Sequence, residues 1–283
     1  MNADIFTKRG AFLMLALDHE DSFRKIINPR NPAGVYPSDI IELKRGIIAS
    51  LLSRMSGVLI DSEYGLPAYE GATKKTLHQP PYLLRVEESS YEGGTDERYT
   101  KIIYTAKDLK EKGAQGVKLL LYFNPFSKSA EKQLQTAKEV LADAHSAQMP
   151  LFLEIVTYEV EGAPKSRGEL ILSSMDALIA KDIIPDVWKL EFPEGDPYVC
   201  KEMNTKAGNV PWILLTRGVS FDAFKEQLQT AVEAGAKGFL AGRALWQEVG
   251  AYEPSEREIF FRETLPRRFD EIASLILHKK PSE

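Results

Sequence analysis

Two lysines stand inside otherwise apolar runs, Lys118 in GVKLLLYFN (116–124) and Lys189 in VWKLEFP (187–193). Lysine is among the residues least often fully buried, so each needs a partner or a chemical task. Glu154 lies between them in the chain, within PLFLEIV (150–156), and other apolar runs end on Asp18, Asp61, Glu63, Glu87, Arg217 and Arg243. An apolar interior does not hold so many charges unpaired. Two ammonium groups brought close in a poorly hydrated site disfavour each other's charge, and desolvation acts the same way, so one amine is expected to be neutral near pH 7. A neutral lysine amine attacks a carbonyl and forms an iminium, which withdraws electrons. Glu154, its pKa expected to rise on burial, is the candidate proton carrier. Any one of these charges alone reads as an ion pair filling an interior. Both signs on nearly every run favour a substrate site.

Positioning those residues takes several strands that end on one face. Short apolar runs alternate with amphipathic segments along the whole chain. The runs cover 12–18, 57–63, 81–87, 116–124, 150–156, 187–193, 211–218 and 238–246. Helices are expected over 39–53, opened by an Asp39-x-x-Glu42 capping box, and over 98–112, 128–147, 167–182, 196–207, 221–235 (capped by Ser220) and 256–278. Eight strand-like runs with crossover-length connections predict a single-domain (β/α)₈ TIM barrel spanning residues 1–283. The competing open doubly wound sheet lacks its G-x-G-x-x-G turn and its phosphate loop. The long connections 62–80 and 157–167 are expected to fold over a ligand on the catalytic face.

A 43% hydrophobic and 27% charged composition is that of a soluble globular chain, and no apolar run is long enough for a membrane helix. The N-terminal segment lacks a signal-peptide core, so a cytoplasmic location is the expectation. A net charge of -5 argues against nucleic acid as the main partner. The single Cys200 allows neither a disulfide within the chain nor a multi-cysteine metal site, and it falls on a helix, away from strand ends. Of four histidines only His19 follows a strand, as a hydrogen-bonding neighbour of Asp18. A carboxylate-bound Mg²⁺ on Asp18, Asp61 and Glu63 has no specific spacing behind it, and no cofactor is expected. Thr216-Arg217-Gly218 and Gly242-Arg243 stand after the seventh and eighth runs, where barrels frequently bind phosphate. Simple turn glycines are the ordinary alternative. The expected partner is thus a small phosphorylated molecule; a homo-oligomer is compatible with the sequence, which does not fix the oligomeric state.

LALD (15–18), LIDSEYGLPA (59–68), VKLLLYF (117–123), PLFLEI (150–155), VWKLEFP and GFLAGRALW (238–246) together resemble the tagatose-1,6-bisphosphate aldolase family of class I aldolases, over nearly the whole chain. The resemblance implies cleavage of a phosphorylated ketose to dihydroxyacetone phosphate and an aldehyde. It implies Lys189 as the Schiff-base lysine, Glu154 as the proton-transfer carboxylate, Lys118 as the second lysine and Asp18 as a contact for substrate hydroxyls. Gly218, Gly242 and Arg243 match phosphate-binding positions; Asp61, His19, Thr216 and Arg217 are further candidates for substrate contact. Where the tagatose enzymes carry Gln-Arg-Gly this chain has His19-Glu20-Asp21, and Arg217 replaces a small residue. DHEDSF (18–23) and PDVWK are more similar to 2-deoxy-5-keto-gluconate-6-phosphate aldolases, and sulfofructose-phosphate aldolases are also relatives. A non-catalytic sugar-phosphate sensor is the alternative class, although a binder has no need of a reactive amine.

Overall fold

Eight parallel strands close on themselves in a computed structural model that describes residues 1–194 and 197–278. The strands in chain order are β1 (Phe12–Leu17), β2 (Gly57–Ile60), β3 (Tyr82–Arg85), β4 (Glu87–Glu92), β5 (Tyr99–Ile102), β6 (Gly116–Tyr122), β7 (Leu151–Val156), β8 (Val187–Leu190), β9 (Trp212–Leu215) and β10 (Gly238–Ala241). Around the barrel they run β1-β10-β9-β8-β7-β6-β3-β2, while β4 and β5 form a separate antiparallel hairpin. This is the predicted TIM barrel. The helices are α1 (Asp21–Ile27), α2 (Pro37–Leu51), α3 (Gly65–Thr73), α4 (Ala106–Glu111), α5 (Ala130–Ser146), α6 (Arg167–Ile179), α7 (Pro197–Ala207), α8 (Phe221–Ala234), α9 (Arg243–Trp246), α10 (Pro254–Ile259) and α11 (Leu265–Leu277).

Strand residues two apart face the same side, so each barrel strand sends alternate residues inward. Phe12, Met14, Ala16, Leu59, Leu83, Phe152, Val187, Ile213 and Leu240 form an inner apolar cluster with Phe6, whose ring meets Phe152 edge-on at 5.3 Å. One step further along the same strands stand Asp18, Arg85, Glu154, Lys189 and Gly242. The apolar layer closes the barrel beneath them, and the chemistry-bearing residues sit directly above. The opposite strand faces pack on the helices in a second, larger core.

Several predicted elements differ. The helix expected over 98–112 is instead β5 and the short α4, which starts at Thr105 with an Asp108 capping box. Glu87–Glu92 and Tyr99–Ile102 pair because Gly93 turns at φ +101, where a Cβ would lie 2.2 Å from the Glu97 carbonyl oxygen. Asp39 does not cap α2: the helix begins two residues earlier at Pro37, whose missing N–H costs nothing there. The connection 62–80 is mostly α3 rather than a loop over the site. The predicted helix 196–207 is observed from Pro197; residue 196 lies outside the described residues. Ser220 caps α8 as predicted, accepting from the Ala223 N–H at 3.3 Å.

Candidate active site in the barrel mouth

A cavity of about 450 Å³ opens at the C-terminal ends of the strands, lined among others by Asp18, Lys118, Glu154, Lys189, Gly242 and Arg243. A larger depression, about 1030 Å³, lies beside α3 and the starts of β3 and β6, where Glu70 and Lys74 are its only charged lining residues. The barrel mouth is the better candidate, since the converging ionisable groups are there.

Strand register explains the centre of the site. Glu154 pairs with Lys189 across β7 and β8, and Arg85 with Lys118 across β3 and β6. The Lys189 ammonium lies 2.7 Å from a Glu154 carboxylate oxygen, and the same oxygen is 3.1 Å from Lys118. Lys118 also reaches Glu87 at 2.6 Å and Asp18 at 3.1 Å. All four charged strand residues are almost wholly buried, Lys118 at 2%, Glu87 at 2%, Lys189 at 4% and Glu154 at 8% exposure. The expected bare pair of ammonium groups is therefore absent: Glu154 stands between the two lysines as a shared counter-ion.

One electrostatic expectation, the raised Glu154, is corrected by that arrangement. Burial acts to lower the Lys118 pKa, but Asp18, Glu154 and Glu87 outweigh it and hold the ammonium well above its ordinary value. Lys118 is a fixed cation. Burial likewise acts to raise Glu154, yet Lys118 and Lys189 together bring it below the ordinary carboxylate range, so the carboxylate stays ionised rather than poised near neutrality. Asp18 is held lower still, burial being outweighed by Lys118, His19, Lys189 and Arg85. Glu87 goes the other way, its burial outweighing Lys118.

The other predicted residues divide. His19, Thr216, Arg217, Gly242 and Arg243 line the same cavity, and Gly218 lies against the Arg243 guanidinium, which a Cβ there would meet at 3.0 Å. His19 makes no hydrogen bond to Asp18: Nδ1 is 3.7 Å away, and burial, with Arg243 and Lys44 nearby, lowers its pKa to about 4 against the pull of Asp18. Its ring packs edge-on against Trp246 at 5.2 Å. Arg217 adopts φ +44, rare for a residue with a side chain, and with Gly218 at φ +77 it forms a tight turn closed by the Val219 N–H on the Thr216 carbonyl at 3.1 Å. Its guanidinium pairs with Glu191, which also accepts from the Thr157 N–H and hydroxyl at 2.9 and 2.8 Å.

Asp61 does not face the cavity. β2 ends at Ile60, and the fully buried Asp61 turns to the buried Lys44 and accepts the N–H groups of Glu63, Tyr64 and Gly65, fixing the start of α3. Glu20, one of the three residues at which the chain departs from the tagatose pattern, lines the cavity 2.5 Å from Arg85; Arg85 and the hairpin's Ser89, Ser90 and Tyr91 line it too and are not among the predicted residues. The two-residue step from the inward Leu83 to Arg85 was the available signal. Cys200 is buried on α7, its thiol pushed up to about 12 by burial. Among the described residues no three His, Cys, Asp or Glu side chains are placed to hold a metal ion, and no helix is long and apolar enough to cross a membrane.

Residues 12–248 match the family model described as DeoC/LacD family aldolase. The tagatose 1,6-diphosphate aldolase of Lactococcus lactis subsp. lactis is 29% identical, the match covering 89% of this chain and 84% of that protein. The tagatose 1,6-diphosphate aldolase of Staphylococcus aureus strain JH9 is also 29% identical, over 84% of this chain and 81% of its own. An archaeal fructose 1,6-bisphosphate aldolase superposes with a TM-score of 0.68 at 22% identity, covering 97% of each chain, a likeness that establishes the fold.

Proposed function

This chain belongs to the DeoC/LacD aldolase family, and from that premise we propose that it is a Schiff-base aldolase cleaving a phosphorylated ketose to dihydroxyacetone phosphate and an aldehyde. The observation that carries the reading is the buried Lys189–Glu154 contact of 2.7 Å, beside the fixed cation Lys118. Glu154 is an ionised carboxylate within hydrogen-bond reach of the amine, so it takes a proton from Lys189 and leaves a neutral nucleophile. The amine adds to the ketone carbon, Glu154 returns its proton to the carbinolamine hydroxyl, which leaves as water, and an iminium remains. Glu154 then takes the proton of the hydroxyl two carbons from the iminium carbon; the carbon–carbon bond breaks, its electrons forming the enamine as the hydroxyl carbon becomes the aldehyde. Protonation of the enamine carbon and hydrolysis release dihydroxyacetone phosphate and free Lys189. Lys118 and Asp18 hold substrate oxygens through this sequence, and Arg243 with the Gly218 and Gly242 backbone binds the phosphate.

Incubation with dihydroxyacetone phosphate and borohydride tests the covalent step. Wild type gains the mass of the reduced adduct, and Lys189→Met gains none. A wild type of unchanged mass, or a Lys189→Met variant that still gains the adduct, contradicts the assignment.

A further inference from the structure

We infer that the substrate carries one phosphate and that its far end is uncharged and rich in hydroxyls, with Glu20 excluding a second anion. The inference rests on the Schiff-base reading and specifies its substrate. It comes from how the cavity's charges are paired. Arg243, on the β10 side, has no carboxylate within 4.0 Å among the described residues, and its buried Nε has no hydrogen-bond partner. A guanidinium left in that condition is a ready anion site. Lys118, Lys189, Arg85 and Arg217 each already have a carboxylate.

The pole formed by β3, β6 and the hairpin strand β4, into which Asp18 and Glu20 reach from the end of β1, has the reverse character. Arg85 is 6% exposed and engaged by Glu20 at 2.5 Å, and Lys118 by Asp18 and Glu87. Two cations there face three carboxylates. A phosphate dianion entering this pole has to displace Glu20 from Arg85 and then lie among Asp18 and Glu87 in a poorly hydrated space, where like charges repel most strongly. Glu87 Oε2 at this pole is buried without a hydrogen-bond partner among the described residues. Sugar hydroxyls donate to such an atom. Lys25 also lines the cavity, but it is exposed at the rim, where water and salt screen it.

The experiment runs the reaction towards condensation, holding dihydroxyacetone phosphate constant and varying the aldehyde: D-glyceraldehyde, D-glyceraldehyde 3-phosphate, and succinic semialdehyde with its terminal carboxylate. The expected kcat/KM favours D-glyceraldehyde by about tenfold or more over each anionic aldehyde, and Glu20→Gln narrows that ratio by about tenfold. An anionic aldehyde that equals or beats the neutral one in wild type overturns the inference; an unchanged ratio in Glu20→Gln overturns the part given to Glu20. Borohydride trapping with dihydroxyacetone phosphate involves no far end. Trapping together with a preference for an anionic aldehyde defeats this inference alone, whereas absence of trapping defeats the Schiff-base reading and this one with it.

Discussion

Lys118 neutralises three carboxylates at once, Glu87 and Glu154 buried and Asp18 nearly so, and its removal leaves them facing one another with Lys189 and Arg85 nearby. Breaking a buried ion pair on one side typically costs about 3–5 kcal/mol. Lys118→Met is therefore expected to lose about that much stability in denaturant titrations, and Lys189→Met less, because Glu154 keeps Lys118. Equal stability of Lys118→Met and wild type contradicts the view of Lys118 as a fixed counter-ion. His19 supplies a pH dependence. Its pKa falls from 6.5 to about 4 on folding, so between those values the unfolded chain binds more protons and stability drops as pH falls. At pH 5 the loss is about 2 kcal/mol. His19→Gln should flatten the pH 7 to 5 stability difference by that amount; an identical pH slope in both proteins contradicts it. The identities of Lys189, Glu154, Lys118 and Asp18 were legible because each interrupts or ends an apolar run. Their partners were not, because a side chain's parity along one strand does not say which carboxylate on another strand reaches it. Asp61 fails for the same reason: parity turns it inward, and only the structure shows Lys44 drawing it away.

The hairpin β4–β5 is the element that covers the cavity, and it is fastened by Arg98, whose guanidinium lies over Tyr158 at 4.3 Å, Tyr91 at 4.5 Å and Tyr122 at 5.5 Å. Tyr91 stands on the hairpin and Tyr122 at the end of β6, so the cation clamps the cover to the barrel. Each such contact is worth about 0.5–2 kcal/mol. Arg98→Ala is expected to speed amide exchange across residues 87–102 and to raise KM several-fold while the rest of the barrel keeps its protection. Unchanged exchange in that segment contradicts the clamp. Periodicity misread this region as a helix because residues 98–112 hold enough helix formers to satisfy a 3.6-residue pattern, whereas the strand depends on a distant partner. Gly93-Gly94 between Tyr91 and Tyr99 was the readable hairpin signal, and the alternation Glu87, Ser89, Tyr91 was its support.

At the scale of the whole molecule the barrel was legible because eight apolar runs recur with crossover spacing, a pattern that needs no knowledge of partners. Its closure bears on how it unfolds. β1 is hydrogen-bonded to both β2 and β10, so the first and last strands share a boundary. Phe6 plugs the inner layer from below, and α11 is tied to the turn after α2 by Arg54–Asp270 and to α8 by Lys225–Glu271. Removing any contiguous part exposes two unpaired strand edges and uncovers the shared inner cluster. Chains of this length commonly pass through kinetic intermediates, but at equilibrium a ring without an internal edge has no cheap place to part. We propose that residues 1–283 act as one cooperative domain. The buried Trp188, Trp212 and Trp246 report on β8, β9 and the segment after β10, while circular dichroism reports on the helices. The expected outcome is a single guanidinium transition with coincident fluorescence and dichroism midpoints. Two separated midpoints would show that the barrel parts into independently stable units.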